Sequence, residues 1–394
     1  MARLLIYKDY FRSGRGADRA TATVANAMAE RGYDVHVVTL QPAKEPFSVT
    51  FAPSVTCHCL PNQKRPFARL LNKWLLTSSV GESILARCFP KLDIVRVVSK
   101  RLQAMIERIA PDVVVAAGSN ECVDILLAGT IQVPVVSMFH VFPPECFRKN
   151  KFRRVSRLKA VLPHVAECQV LLPSHCDTLR PYTTAPITAI GNGVAYPVED
   201  PLPTLASRDK SIVYVAYFSK DKNHLELLDA FARLNAPGWT LHLYGSGTPE
   251  WETRLKTRAE ELGITARVRF MGITHMPRPI LLRAGICAFP SKVEGFGLAL
   301  AEAMWCGLAC VGFKHAPGVN ELITHEANGL LADDGAEAYA AQLQRLIDDE
   351  ALREHLGEVA ARTARRTWSQ ATIVQQWDDL FQRNIRKTAN VAEE

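Results

Sequence analysis

The chain has 394 residues, 48% hydrophobic and 22% charged, with a formal net charge of +7. This is the composition of a soluble globular protein, too long for one comfortable core, so two domains are expected. Its apolar runs are strand-sized, which excludes a transmembrane helix, and MARLLIYKDYF lacks the features of a cleaved leader.

In chain order, Leu4 to Tyr7 is a short apolar strand. SGRGADRAT (13–21) follows it and opens a helix over Ala17 to Arg31, after which DVHVVTL (34–40) is β-branched and strand-like. PDVVVAAG (111–118), CVDILLAG (122–129), VPVVSMFH (133–140) and CQVLLPS (168–174) continue as strand-like runs. YPVEDPLPTLASRDKS then breaks the rhythm with three prolines and mixed charge. A second series begins at IVYVAYF (212–218), with a helix at about 223–234. It runs through WTLHLYG (239–245), ARVRFMG (266–272), ICAFPS (286–291), a helix from about Phe296 or Gly297, LACVGF (308–313), and a helical tail from about 335. Strands separated by helices predict an α/β fold of two Rossmann-like, doubly wound domains. The boundaries are 1–195, a linker at 196–210, 211–370, and a C-terminal helix at 371–394 packing back on the first domain. Ligands of such folds bind at the carboxyl ends of the strands, so a cleft faced by both domains is the expected site.

The ten cysteines show no CxxC pair, and Cys57-His58-Cys59 lacks an evident fourth ligand. Free thiols in a reducing cytosol are expected, and no metal. Two basic stretches, 64–76 (KRPFARLLNKWLL) and 147–159, fit either solvated helix faces or attraction to phosphates of a membrane surface or lipid-linked substrate. Nucleic acid is not expected, because no RNA-recognition aromatic motif or zinc finger is present. The localisation expected is cytoplasmic, with peripheral attachment to the inner membrane face as the finer alternative.

Three strand-end loops carry chemistry. Gly14 and Gly16 in the first suit a tight turn and a helix N-terminus facing phosphate, or an ordinary strand-to-helix turn; Arg19 stands where the third glycine of a dinucleotide motif would fall. FSKDKNHLELLDAF places Lys220 and Lys222 near a helix start, where they serve a ligand or are simply solvated. SKVEGFGLALAEAM places Glu294 at the lip of an apolar helix and Glu302 inside it, with the N–H groups of Phe296, Gly297 and Leu298 unsatisfied within the helix. A buried carboxylate needs a partner, either a ligand or a structural cation. His140, at a strand end, is structural or functional.

The spacing Glu294-x7-Glu302 within EGFGLALAEAM, then GLACVGF and NELITHEANGLL, resembles the C-terminal signature of the family 4 retaining glycosyltransferases of the GT-B fold. RGADR, PSHCD, IGNGV, LYGSG and VRFMG are similar to the family's other landmarks in order, across nearly the whole chain. The resemblance implies transfer of a sugar from a nucleotide-diphosphate sugar, UDP foremost, to a saccharide or lipid-linked saccharide in cell-envelope polysaccharide assembly. It implies that Glu294 contacts the donor sugar, Phe296, Gly297 and Leu298 offer amides, and Glu302 holds the ribose. It also implies that Gly16 lies against the diphosphate, Lys222 neutralises it, and His140 stands near the transferred sugar. Tyr217 replaces the family's arginine, with Lys220 or Arg15 as substitutes. No metal or other cofactor is expected, since no Asp-x-Asp is present. A hydrolase or epimerase on this scaffold, or a silent sugar-nucleotide-binding subunit, are the alternatives.

Overall fold

The computed structural model describes residues 1–11, 16–40, 49–60, 93–129, 131–148 and 155–393. The chain divides into two compact units, Met1–Gly191 with Val374–Glu394, and Asn192–Ile373.

The first unit contains β1 (Arg3–Tyr7), α1 (Gly16–Glu30), β2 (Asp34–Thr39), β3 (Thr56–Cys59), α2 (Ile94–Ile109) and β4 (Val113–Ala116). These are followed by α3 (Ser119–Leu126), β5 (Val135–Met138), α4 (Pro143–Cys146), α5 (Val155–Val161), β6 (Glu167–Val170), α6 (Pro173–Leu179) and β7 (Ile187–Ala189). Among the described residues the strands form one parallel sheet in the order β3-β2-β1-β4-β5-β6-β7. Leu4–Tyr7 and all of β4 are buried, as parallel strands covered on both faces must be. Chain order reverses between β1 and β4, which makes their carboxyl ends the expected ligand edge.

One expectation fails here. CVDILLAG is not a strand; its residues 122–126 lie in α3. The physical reason is that β4 and β5 are parallel neighbours and need a crossover between them. Because α3 is buried nearly all round, its apolar run imitates a core strand.

Buried ion pairs help to fasten this unit. Asp93 caps α2, accepting from the amides of Val95 and Arg96, and is gripped by the Arg157 guanidinium at 3.0 and 2.9 Å. Arg157 thus leaves the expected basic surface, being only 6% exposed. Glu167 on β6 is 1% exposed and is reached by Arg383 and by Asn384 at 2.7 Å. Burial opposes its charge, yet hydrogen bonds from Arg383, Thr188 and Asn384 prevail and hold the carboxyl below its ordinary range. Asp378 likewise accepts from Tyr33 at 2.5 Å and Arg31 at 2.9 Å. The last helix, Gln370–Glu393, therefore ends as part of the first unit.

The second unit contains β8 (Ser211–Val215), α7 (His224–Ala232), β9 (Thr240–Tyr244), α8 (Pro249–Glu261), β10 (Val268–Gly272), α9 (Pro277–Arg283) and β11 (Ile286–Ala288). Then come α10 (Leu298–Trp305), β12 (Ala309–Phe313), β13 (Leu330–Ala332), α11 (Ala336–Asp348), α12 (Glu350–Thr367) and α13 (Gln370–Glu393), the helix that crosses into the first unit. Its sheet is again parallel, ordered β10-β9-β8-β11-β12-β13, and reverses between β8 and β11. Residues 196–210, expected as a linker, are fastened to this unit. Arg208 donates to the carbonyls of Leu281, Leu282, Ala284, Cys306 and Gly307, satisfying the ends of α9 and α10. Arg365 donates to the carbonyls of Val198 and Asp200.

Among the described residues, no helix is long and apolar enough to cross a membrane.

Candidate functional site

The second unit gathers its candidate residues at the β8/β11 reversal. After β8 the chain makes a single 3-10 turn, Lys220–Lys222, closed by Asn223 in the left-handed region (φ 59°) before α7. The Tyr214 hydroxyl donates to the Lys222 carbonyl at 3.0 Å and lies 2.8 Å from Ser291 Oγ, so the loops after β8 and β11 are joined beneath the edge. The Lys292 amide donates to the Asp221 carbonyl at 2.9 Å, a second tie.

Those ties bring Lys222 Nζ within 2.5 Å of Glu294 Oε1, both side chains half-buried or more. Glu294 is itself held from behind. Its amide donates to the Pro317 carbonyl at 2.9 Å, and Gly318 (φ +83°) presses on its backbone, where an added Cβ would stand 2.6 Å from the Glu294 carbonyl. Pro317 and Gly318 escaped the sequence reading, although the Pro-Gly dipeptide is a turn signal.

Gly297 (φ 84°) precedes α10, and its carbonyl accepts from the amides of Leu300 and Ala301. The amides of Leu298 and Ala299 sit in the first turn, where a helix offers donors without intrahelical partners. Phe296 turns its ring inward, 2% exposed and edge-on to Trp368, so only its backbone is available. Glu302 is buried at 4% exposure, in the second turn of α10, and has a polar or electrostatic interaction within the chain. Lys220 and Tyr217 are exposed. His224, directly after this turn, is packed between the rings of Tyr214 and Phe218; burial first, then Lys222, push its pKa down to about 3.

The first unit gathers a second group, at the β1/β4 reversal. Gly16 is the first residue of α1, exposed, and a Cβ there would meet no protein atom within 4 Å. Arg15 and Gly14 lie outside the described residues, as do the stretch 64–76 and residues 149–154 of the stretch 147–159. At the end of β1, the buried Lys8 ammonium lies 3.3 Å from Asp18 and 4.0 Å from Glu121. Burial, with the nearby Asp9 charge, raises the Glu121 pKa to about 8, so near neutrality Asp18 supplies the negative charge that balances Lys8. His140, two residues past β5, has its Nε2 3.4 Å from Thr21 Oγ1, and its buried Nδ1 has no partner. Burial foremost, and the Lys8 charge, lower its pKa to about 3, which keeps the ring neutral. Lys8 and Glu121 were missed in the sequence because neither belongs to a recognisable motif, and Asp18 and Thr21, although inside SGRGADRAT, because nothing local showed what they would face.

The described cysteines are free thiols, and no described group of three or more His, Cys, Asp or Glu is placed to hold a metal ion. His58 instead pairs with His36 across β2 and β3, Nε2 to Nδ1 at 2.8 Å.

Residues 14–195 match the family model described as Glycosyltransferase Family 4, and residues 201–363 match that of Glycosyl transferases group 1. The chain is 30% identical over 188 residues to N-acetyl-alpha-D-glucosaminyl L-malate synthase of Bacillus anthracis, covering 47% of this chain and 49% of that protein. It is 32% identical over 177 residues to lipopolysaccharide core biosynthesis glycosyltransferase LpsD of Rhizobium meliloti, covering 45% and 50%. The chain thus spans about half the length of these curated relatives. Among solved structures, Anabaena Alr3699/HepE in complex with UDP and glucose superposes with a TM-score of 0.75 at 19% identity, over 97% of this chain and 100% of that one.

Proposed function

Because the chain belongs to the family 4 glycosyltransferases and has the GT-B fold, we propose that it moves a sugar from a nucleotide-diphosphate donor to a saccharide or lipid-linked saccharide acceptor, with retention at the anomeric carbon. The observation that carries this reading is the Lys222–Glu294 pair at the β8/β11 reversal. A sugar nucleotide offers each member a better partner: diphosphate for the ammonium, sugar hydroxyls for the carboxylate. UDP is the nucleotide favoured, in keeping with the UDP-bound Anabaena neighbour. The named role of the Rhizobium relative supports a product in lipopolysaccharide or related polysaccharide assembly.

In the step itself, the bond from the anomeric carbon to the diphosphate oxygen breaks as the acceptor oxygen bonds to that carbon on the same face. The acceptor's proton passes to the departing phosphate oxygen. Lys222, once drawn from Glu294, and the amides of Gly297 and Leu298 stabilise the charge that gathers on the diphosphate. Glu294 orients the sugar, and Glu302 holds the ribose. This arrangement assigns no role to a metal.

The test is transfer from UDP-sugars by the purified protein. Glu294→Gln and Lys222→Ala should each lose at least about tenfold in rate, the value of one charged contact. Glu294→Gln should also bind UDP alone more tightly, since the ammonium no longer has to be drawn from a carboxylate. Unchanged rates in both variants would overturn the proposal, and NMR of the product's anomeric configuration decides retention.

A further inference from the structure

Tyr339, in α11, carries a hydroxyl where packing alone asks for none. The residue is 0% exposed, and its ring packs against Phe313 with centroids 4.7 Å apart. A phenylalanine would fill the same space, and a buried hydroxyl costs free energy unless it is hydrogen-bonded. Here it both donates and accepts. The Tyr339 hydroxyl donates to the Val311 carbonyl at 2.7 Å and accepts from the Phe289 amide at 2.8 Å. That amide also donates directly to the Val311 carbonyl at 2.8 Å, so the hydroxyl closes a three-membered clasp between two main chains.

The clasp sits at the last rung between β11 and β12. Ala288 with Val311 is the final registered pair, and Pro290, directly after Phe289, has no N–H to extend the ladder. Beyond that point the two chains part. One carries Ser291 to Glu294, the other Lys314 to Gly318, and they meet again where the Glu294 amide donates to the Pro317 carbonyl at 2.9 Å. The two loops thus form a closed circuit of main chain, fastened at Tyr339 below and at Glu294 above. We propose that Tyr339 is a positioning residue whose hydroxyl fixes the point from which both loops spring, and so sets where the Glu294 carboxylate stands against the donor sugar. The functional half of this rests on the glycosyl-transfer reading; the clasp does not. With the lower fastening loosened, the strand ends can slide past each other, and the Pro317 carbonyl takes Glu294 with it. A misplacement of about 1 Å in a group that orients substrate can cost on the order of a hundredfold in rate. Lys222 and α10, which are assigned the diphosphate and ribose, lie outside the circuit, so turnover is affected and nucleotide binding is not.

The experiment compares the full-length chain with Tyr339→Phe, which deletes the hydroxyl and keeps the ring, at equal concentrations of folded protein. Hydrogen exchange followed by mass spectrometry should show the amides of 291–294 and 314–319 exchanging roughly tenfold faster, with β8 and β9 unchanged. In transfer from a UDP-sugar, kcat should fall roughly tenfold, about one hydrogen bond's worth, while UDP binding measured by calorimetry is not weakened. Tyr339→Phe combined with Glu294→Gln should lose no more than Glu294→Gln alone, because the tyrosine acts through that carboxylate. Unchanged exchange in both segments overturns the clasp whatever the rates. Faster exchange with wild-type kcat, weakened UDP binding, or losses that multiply in the double variant overturns the positioning role. Faster exchange in a protein whose wild type transfers no sugar upholds the clasp and sinks the reaction assignment together with the role built on it.

Discussion

The two units present the same sheet feature, a reversal of strand order, yet furnish it by different means. In the second unit the edge is held by backbone: the turn at Lys220–Lys222, the left-handed Asn223, and Gly318 pressed on the Glu294 main chain. Ion pairs are added to that frame, Lys222 with Glu294 and, at 4.0 Å, Lys292 with Glu226. In the first unit the edge is held by buried titratable side chains, with Lys8, Asp18 and Glu121 within 4.0 Å and His140 neutral beside them. Backbone turns fix geometry independently of solution conditions. Buried charges hold it only while each keeps its partner and its proton.

The largest effect should come from removing the cation of the first edge. Lys8→Met strands Asp18 beside other buried carboxyls, and a cost of about 3 kcal/mol is expected from breaking such a pair. Urea unfolding measures it, and a midpoint equal to that of the wild type would break the contrast. Next is Gly318→Ala, which forces a side chain into the left-handed region against the Glu294 carbonyl. About 2 kcal/mol of strain is expected, along with a loss of transfer matching that of Glu294→Gln. Wild-type turnover in this variant would mean that the backbone does not set the position of Glu294.

The most gradual effect, spread over several pH units, sharpens the contrast further. His140 and His224 have native pKa values of about 3, against about 6.5 when unfolded. Between those values the unfolded chain binds more protons, so both units lose stability as pH falls, by at most about 1.4 kcal/mol per pH unit for each ring. Glu121 acts oppositely. It keeps its proton up to about pH 8 in the native state and releases it near pH 4.5 when unfolded. Stability in the first unit should therefore also fall as pH rises from 6.5 to 8, where the histidine contribution is spent. Hydrogen exchange followed by mass spectrometry should show this alkaline loosening in β4 and α3 but not in β8 and β11, and Glu121→Gln should abolish it. Equal alkaline loosening in both units would refute the assignment.

How legible was this molecule beforehand? Alternating apolar runs and helices disclosed the two parallel sheets, because covered parallel strands have a distinctive composition. EGFGLALAEAM disclosed where a carboxylate stands on the lip of a helix. The Lys222–Glu294 contact was not visible, since 72 residues separate its members and only the adjacency of β8 and β11 closes the gap. CVDILLAG misled because a helix buried all round loses its amphipathic signature; Glu121 and Asp124, three residues apart, were the remaining clue. Thr21 gave no signal at all. A hydroxyl one turn into a helix is ordinary until the ring opposite it is known.

The final helix carries a consequence for biogenesis. Glu167 lies in a strand of the first unit, and its cationic partner Arg383 is separated from it by 216 residues. A ribosome that has finished the strands of that unit must still make the entire second unit before the carboxylate is neutralised. The earlier-made half thus waits on the later-made one to be completed, and a nascent chain stopped short of Val374 would hold a sheet with an acidic side chain in its interior, met by the Thr188 hydroxyl but by neither Arg383 nor Asn384.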